Sequence, residues 1–221
     1  MKKIMLISLL SLGLVFAPLL GVHAQENDIN IYSGAYYTSF ADSELADLDD
    51  ELNIDLSSGI GFKVGGEIGI VPEFGISGEY SRIFNSDSTS ETMFFDGEEV
   101  DMNIDVNMPI NTIRGAALLN IHELMEQDNI PSIKLSGGLG YYFGEMEVTA
   151  EATANEITET ETESEDFSGI GFKFDIAIEQ EVADNFNVNG DIGYRILDLE
   201  NGDDDFNANG LELGAGISYS F

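Results

Sequence analysis

The sequence predicts an all-β chain: an eight-stranded antiparallel up-and-down transmembrane β-barrel, with short turns at one end and long acidic loops at the other. Three observations lead there. Apolar residues recur at every second position in eight separate stretches, the spacing of a pleated strand and not of a helix. The positions between them are rich in glycine, among them Gly61, Gly65, Gly138, Gly171, Gly193 and Gly214, which suits the narrow inside of a small barrel. The connections alternate between tight and long, as in barrels that cross an outer membrane.

The chain opens MKKIMLISLLSLGLVFAPLLGVHAQ. Two lysines, an apolar run and a small-x-small site at Val22–Ala24 read as a secretory signal peptide over residues 1–24, leaving 25–221 as one barrel domain. With no cysteine after the apolar run, a lipoprotein anchor is excluded, and no disulfide is available to the exported chain.

The strands are expected at about 28–40, 58–70, 74–84, 100–121, 132–146, 168–182, 186–197 and 210–221. The second, SGIGFKVGGEIGI, sets Ile60, Phe62, Val64, Ile68 and Ile70 against Gly61, Lys63, Gly65, Glu67 and Gly69. In the fourth, the apolar residues sit at even positions from Val100 to Ile110 and at odd positions from Ile113 to Ile121. A bulge beside Pro109 that flips the faces would account for the change. The motif SGIGFK recurs at 58–63 and 168–173, one half of an eight-stranded meander apart; duplication and convergence explain one such pair equally well. Short turns are expected around Pro72 and Asp184–Asn185, and long acidic loops at 41–57, 85–99, 147–167 and 198–209. The segment EVTAEATANEITETETESEDF is close to low complexity and is expected to be a mobile loop.

Charge is lopsided: 42 acidic against 8 basic residues in all, a formal net charge of −34. Such a surface repels nucleic acid and attracts divalent cations or basic macromolecules. If the apolar face meets lipid, the charges on the glycine face point inward. The inward acids are then Glu67, Glu79, Asp175, Glu179, Asp191 and Glu212, and the inward bases Lys63, Arg114, Lys134, Lys173 and Arg195. Such charges are expected to form a self-neutralising network that sets the strand register, because a buried ion demands a partner. Strand heights suggest Arg195 with Glu212, and Lys63 diagonally with Glu79. Arg82 is left on the apolar face, snorkelling at an interface.

Aromatic residues gather at strand ends: Phe74, Phe186, Tyr219 and Phe221 at the short-turn end, and Phe62, Phe172 and Tyr194 about ten residues, or roughly 25 Å, further up. The chain finishes LELGAGISYSF, with Leu213, Ile217, Tyr219 and terminal Phe221 on the apolar side. This ending resembles the C-terminal signal of bacterial outer-membrane barrels. Over its whole length after residue 24 the chain resembles the small OmpA-like and OmpX-like barrels and the porin-like surface-antigen barrels; IYSGAYYTSF and IKLSGGLGYYFG look like first and fifth strands of the last group. The resemblance implies a bacterial outer membrane, short periplasmic turns, long extracellular loops, contact with outer-membrane lipid and lipopolysaccharide, and recognition of the last strand by the barrel-assembly machinery.

Catalysis is not expected. Beyond residue 24 the sole histidine is His122, in a predicted turn, and no serine has an evident base. No cofactor and no metal site is expected, since DLDDELNID (47–55) and NGDDDFN (201–207) lack the spacing of a calcium loop. The expected role is that of a non-enzymatic surface protein whose acidic loops take part in structure, adhesion or ion contact, with a small passive porin-like diffusion channel as the alternative.

Overall fold

In the computed structural model the described residues are 29–40, 54–95, 98–121, 131–154, 157–201 and 204–221. The expected signal peptide, His122 and most of the first acidic loop lie outside them. The described residues contain eleven strands: β1 (Ile29–Ser39), β2 (Ser58–Val71), β3 (Phe74–Phe84), β4 (Ser86–Phe95), β5 (Glu98–Asn107), β6 (Ile110–Asn120), β7 (Ser132–Ala154), β8 (Ile157–Ala183), β9 (Phe186–Asn201), β10 (Asp204–Asn207) and β11 (Gly210–Ser220).

All pairing is antiparallel. It runs β1–β2–β3–β6–β7–β8–β9–β11 and returns from β11 to β1, where Ala35 faces Ala215. A sheet closed on itself leaves no edge in the ring.

Eleven strands stand where eight were expected, and the registers explain the difference. Ile83 pairs with Ile110 and Ser86 with Asn107, three residues on along one strand and three back along the other. β4 therefore continues β3, and β5 continues β6, without a slip. The same relation holds between Gly210↔Arg195 and Asp204↔Asn201, so β10 and β11 share one register along β9. The breaks are local, at Asn85, at Met108–Pro109 and at 208–209. Pro109 has no N–H to give a ladder, while Met108 N still donates to Asn85 O at 2.8 Å and Ala208 N to Leu197 O at 2.8 Å.

Two expectations are corrected here. No bulge flips the faces at Pro109: Val106, Met108, Ile110, Thr112 and Arg114 all point the same way and are all buried. What changes, between Ile110 and Thr112, is the chemistry of the inward face. Nor are the expected loops at 85–99, 147–167 and 198–209 loops over their described residues: β4 fills most of the first, β9 and β10 most of the last, and 147–167 is strand as well. β7 and β8 pair without interruption from Glu147↔Ser164 to Ala154↔Ile157, beyond the last β8–β9 pair at Ser168↔Glu200. Its Thr–Glu alternation has period two, and the register sets Glu159, Glu161 and Glu163 opposite Ala152, Ala150 and Val148 and not opposite other acids. Hydroxyls of Thr149 and Thr162 lie 3.2 Å apart, and those of Thr153 and Thr158 2.9 Å apart. The hairpin overshoots the ring by roughly 35 Å of strand.

At the opposite end both turns have two central residues, Pro72–Glu73 and Asp184–Asn185, and each follows a register shift in the strand before it. Asn185 takes φ 63, a left-handed conformation that asparagine tolerates better than other residues with a Cβ. Its N–H is held by Glu181 Oε1 at 3.1 Å.

Candidate functional site

The ring turns its oil outward. Ile170 is 72% exposed while Lys173, on the other face of the same strand, is 5% exposed. Leu139, Leu213 and Ile60 are likewise outside, with Arg114, Arg195 and Glu212 inside. Leu213, Ile217, Tyr219 and Phe221 all lie on the outer face, and Phe221 N bonds Ile29 O at 2.9 Å, which ties the last residue to β1. Arg82 stands on the outer face too, its guanidinium 5.3 Å from the Phe84 ring centroid.

The enclosed space has two tiers. In the tier nearer the short turns, the five inward bases meet the six inward acids. Lys63 Nζ is 2.5 Å from Asp191 Oδ1. Arg114 contacts Asp175 and lies 3.8 Å from Glu79. Lys173 bridges Asp175 (3.0 Å) and Glu212, and Arg195 closes on Glu212 at 2.5 Å. Lys134 stands between Glu67 (2.8 Å) and Glu179 (2.7 Å). Arg195 with Glu212 is the pair expected from strand height. Lys63 with Glu79 is not formed: Lys63 reaches over β1 and β11 to Asp191, and Glu79 instead accepts from Tyr32 Oη at 3.0 Å and faces Arg114. Half of these ion pairs skip at least one strand, because a long charged side chain in a narrow barrel reaches over its neighbour toward the far wall.

Glycines make that reach possible. Tyr36 lies opposite Gly61, Tyr32 opposite Gly65, Asp175 opposite Gly193 and Asp191 opposite Gly214. A Cβ on Gly61 would come within 2.5 Å of the Tyr36 ring, and one on Gly214 within 2.7 Å of the Asp191 carboxylate. A cavity of about 60 Å³ remains within this tier, bordered by Asn30, Lys63, Glu67, Arg114, Lys134 and Glu179 among others. That is room for a few water-sized occupants.

The second tier is apolar, and reasoning from sequence missed it. Phe40, Ile83, Met108, Ile110, Leu197 and Leu199 are almost wholly buried, packed with Tyr36, Tyr142, Phe167 and Ala208 across the ring. Arg195 lies where the tiers meet. Its side chain is fully buried, Nε donates to Ala208 O at 3.1 Å, and its guanidinium carbon is 4.9 Å from the Phe40 ring centroid and 5.8 Å from that of Tyr142. The available signal was parity: Tyr36 and Phe40 share alternate positions with Gly34 and Thr38, and Met108 and Ile110 with Thr112 and Arg114. Above this tier Ile54, Leu56 and Val106 form a second apolar group with Met146 and Val148.

The exterior beyond the ring is acidic. Glu159, Glu161, Glu163 and Glu165 follow one another on one face of the projecting part of β8, all exposed. Asp55, just before β2, accepts from the Ser57 hydroxyl and, at 2.8 Å, from the Ser57 N–H, which hold its carboxyl below the usual carboxylate range. Its own N–H donates to Asp87 Oδ2 at 2.7 Å. Among the described residues no group of three or more His, Cys, Asp or Glu is placed to hold a metal ion.

Residues 7–221 match the model of the outer membrane protein beta-barrel domain, and the chain belongs to that family. No curated protein matches the sequence. Similar solved structures include Ail, the attachment invasion locus protein of Yersinia pestis, in complex with the heparin analogue sucrose octasulfate (13% identity, 89% of this chain and 100% of that one, TM-score 0.45). A major outer membrane protein from Thermus thermophilus is 12% identical over 87% of this chain and 99% of its own, with TM-score 0.48. The outer membrane protein OprG from Pseudomonas aeruginosa is 11% identical over 88% and 96%, with TM-score 0.42.

Proposed function

We propose that this outer-membrane β-barrel protein is a non-enzymatic surface protein: a closed barrel that carries an acidic, strand-built extension into the medium. In this reading the chain crosses the membrane eight times, the turns at Pro72 and Asp184–Asn185 are periplasmic, and the β7–β8 hairpin is extracellular. The observation that carries the reading is the apolar tier across the lumen. It leaves the acids above the ring as the chemistry offered to the outside. Five of the six basic residues beyond residue 24 are spent inside on ion pairs, so the exterior keeps its negative charge almost unopposed. Divalent cations and basic macromolecules are the partners such a face suits, and nucleic acid is not. Outer-membrane lipid with its lipopolysaccharide surrounds the apolar belt, and the last strand, Leu213 to Phe221, is read by the barrel-assembly machinery. Export by the signal peptide of residues 1–24 belongs to the same reading.

Retention of proteoliposomes on a polylysine surface tests it. The wild type should be held in a salt-sensitive way, and Glu159, Glu161, Glu163 and Glu165 changed together to Gln should weaken retention several-fold with the barrel intact. Equal retention of the two would overturn the role given to the hairpin.

A further inference from the structure

The ion pairs of the lumen do not balance group by group. Glu79, Asp175 and Glu212 are joined to Arg114, Lys173 and Arg195 in one linked set, three acids with three bases. Lys63 and Asp191 make a second, neutral set. The third is Glu67–Lys134–Glu179, two carboxylates on one ammonium, so the lumen's surplus negative charge sits there. This set is the most open of the three, its side chains 11–19% exposed, but it is still largely shielded, and a shielded surplus charge calls for a counter-charge.

Beside that triad stands an independent sign. Asn30 is 7% exposed and lines the same cavity. Its Nδ2 donates to Glu67 Oε2 at 3.3 Å, and its Oδ1 is buried with no hydrogen-bond partner. Turning the amide over would set Oδ1 against the Glu67 carboxylate, so the network fixes the orientation. Ser218 already donates to Glu179 Oε1, and Lys134 to both glutamates. A bare carbonyl oxygen, two carboxylates carrying one charge too many and room for a small occupant fit a hard cation bound by oxygen. A single positive charge neutralises the group, whereas a divalent ion would reverse its sign.

We propose that the cavity binds one monovalent metal cation, sodium or potassium, held by the carboxylates of Glu67 and Glu179 and by Oδ1 of Asn30. It braces the walls at the short-turn end, tying β1 and β2 to β8.

The test is thermal unfolding of the refolded barrel in lipid nanodiscs, in chloride salts of sodium, potassium and N-methylglucamine at equal ionic strength and pH. At least one metal ion should raise the unfolding midpoint by about 2–4 °C over the organic cation. Glu179→Gln should abolish the difference. Asn30→Leu, which leaves every charge in place, should abolish or sharply reduce it, and it serves alone if Glu179→Gln fails to fold. Glu163→Gln on the hairpin should keep it. Coincident midpoints for the wild type in all three salts would overturn the proposal and leave a shared proton or a water as the occupant. An ion preference that survives Asn30→Leu unchanged, or that is lost in Glu163→Gln, would overturn it in favour of the acidic surface.

Discussion

The two tiers of the lumen are walled by the same strands in the same register, yet they are held together differently. From Thr112 toward the short turns the inward positions carry ions that must find partners, and half of the ion pairs join non-adjacent strands. Above that level the inward positions carry Met108, Ile110, Leu197 and Leu199, which need only neighbours of complementary shape. The ion tier is specific and intolerant of single losses, since each charge removed leaves another stranded in a poorly hydrated space. The apolar tier is forgiving in detail and, in the function proposed above, tight against water. One supplies register, the other closure.

Arg195 joins the tiers, and its removal should have the largest effect. Arg195→Ala leaves Glu212 short of a partner and opens a void against Phe40 and Tyr142, for a loss of about 3–5 kcal/mol. Arg82→Ala on the outer face should cost about 1 kcal/mol or less, because that side chain is only partly buried and makes no ion pair among the described residues. Thermal or urea unfolding in detergent compares the two; equal losses would remove the distinction between buried and interfacial cations.

Gly214→Val sharpens the comparison within the ion tier. The Asp191 carboxylate oxygens stand 2.7 and 2.8 Å from the place a Cβ would occupy, so the acid must swing away from Lys63. A loss of about 1–3 kcal/mol is expected from crowding of this kind. Gly78→Val on the outer face, where nothing lies within 4 Å of the added carbon, is the control and should be close to neutral.

The smallest effect lies outside the ring, at Asp55. Hydrogen bonds from Ser57 lower its carboxyl, so their contribution is fully present above the ordinary carboxylate range and is lost as pH falls through the lowered folded value. Ser57→Ala should move the Asp55 titration upward, toward an ordinary aspartate, in carboxyl NMR, with little change in unfolding at neutral pH.

Much of this was legible in the residues. Alternation of Ile60, Phe62 and Val64 with Gly61 and Lys63 implied which face is oily, and the height of Arg195 on its strand implied Glu212. Lys63–Asp191 was not legible, since neighbour-by-neighbour reading cannot say which walls face each other across a closed ring. The apolar tier was hidden because Val106, Met108 and Ile110 have the period of a lipid-facing row, and only the closed barrel shows that row pointing inward. The hairpin of β7 and β8 was hidden by composition: a run of Thr and Glu reads as loop until its partner strand supplies Ala and Val opposite each acid.

Single-channel current in planar bilayers, with wild type beside the triple variant Phe167→Ala, Leu197→Ala and Leu199→Ala, tests the closed lumen most directly. Wild type should pass no discrete current, and the variant, with the apolar tier hollowed out, should show salt-dependent steps. Steps of the same size from both proteins would mean that ions already pass the apolar tier, and the closed barrel would give way to a diffusion channel.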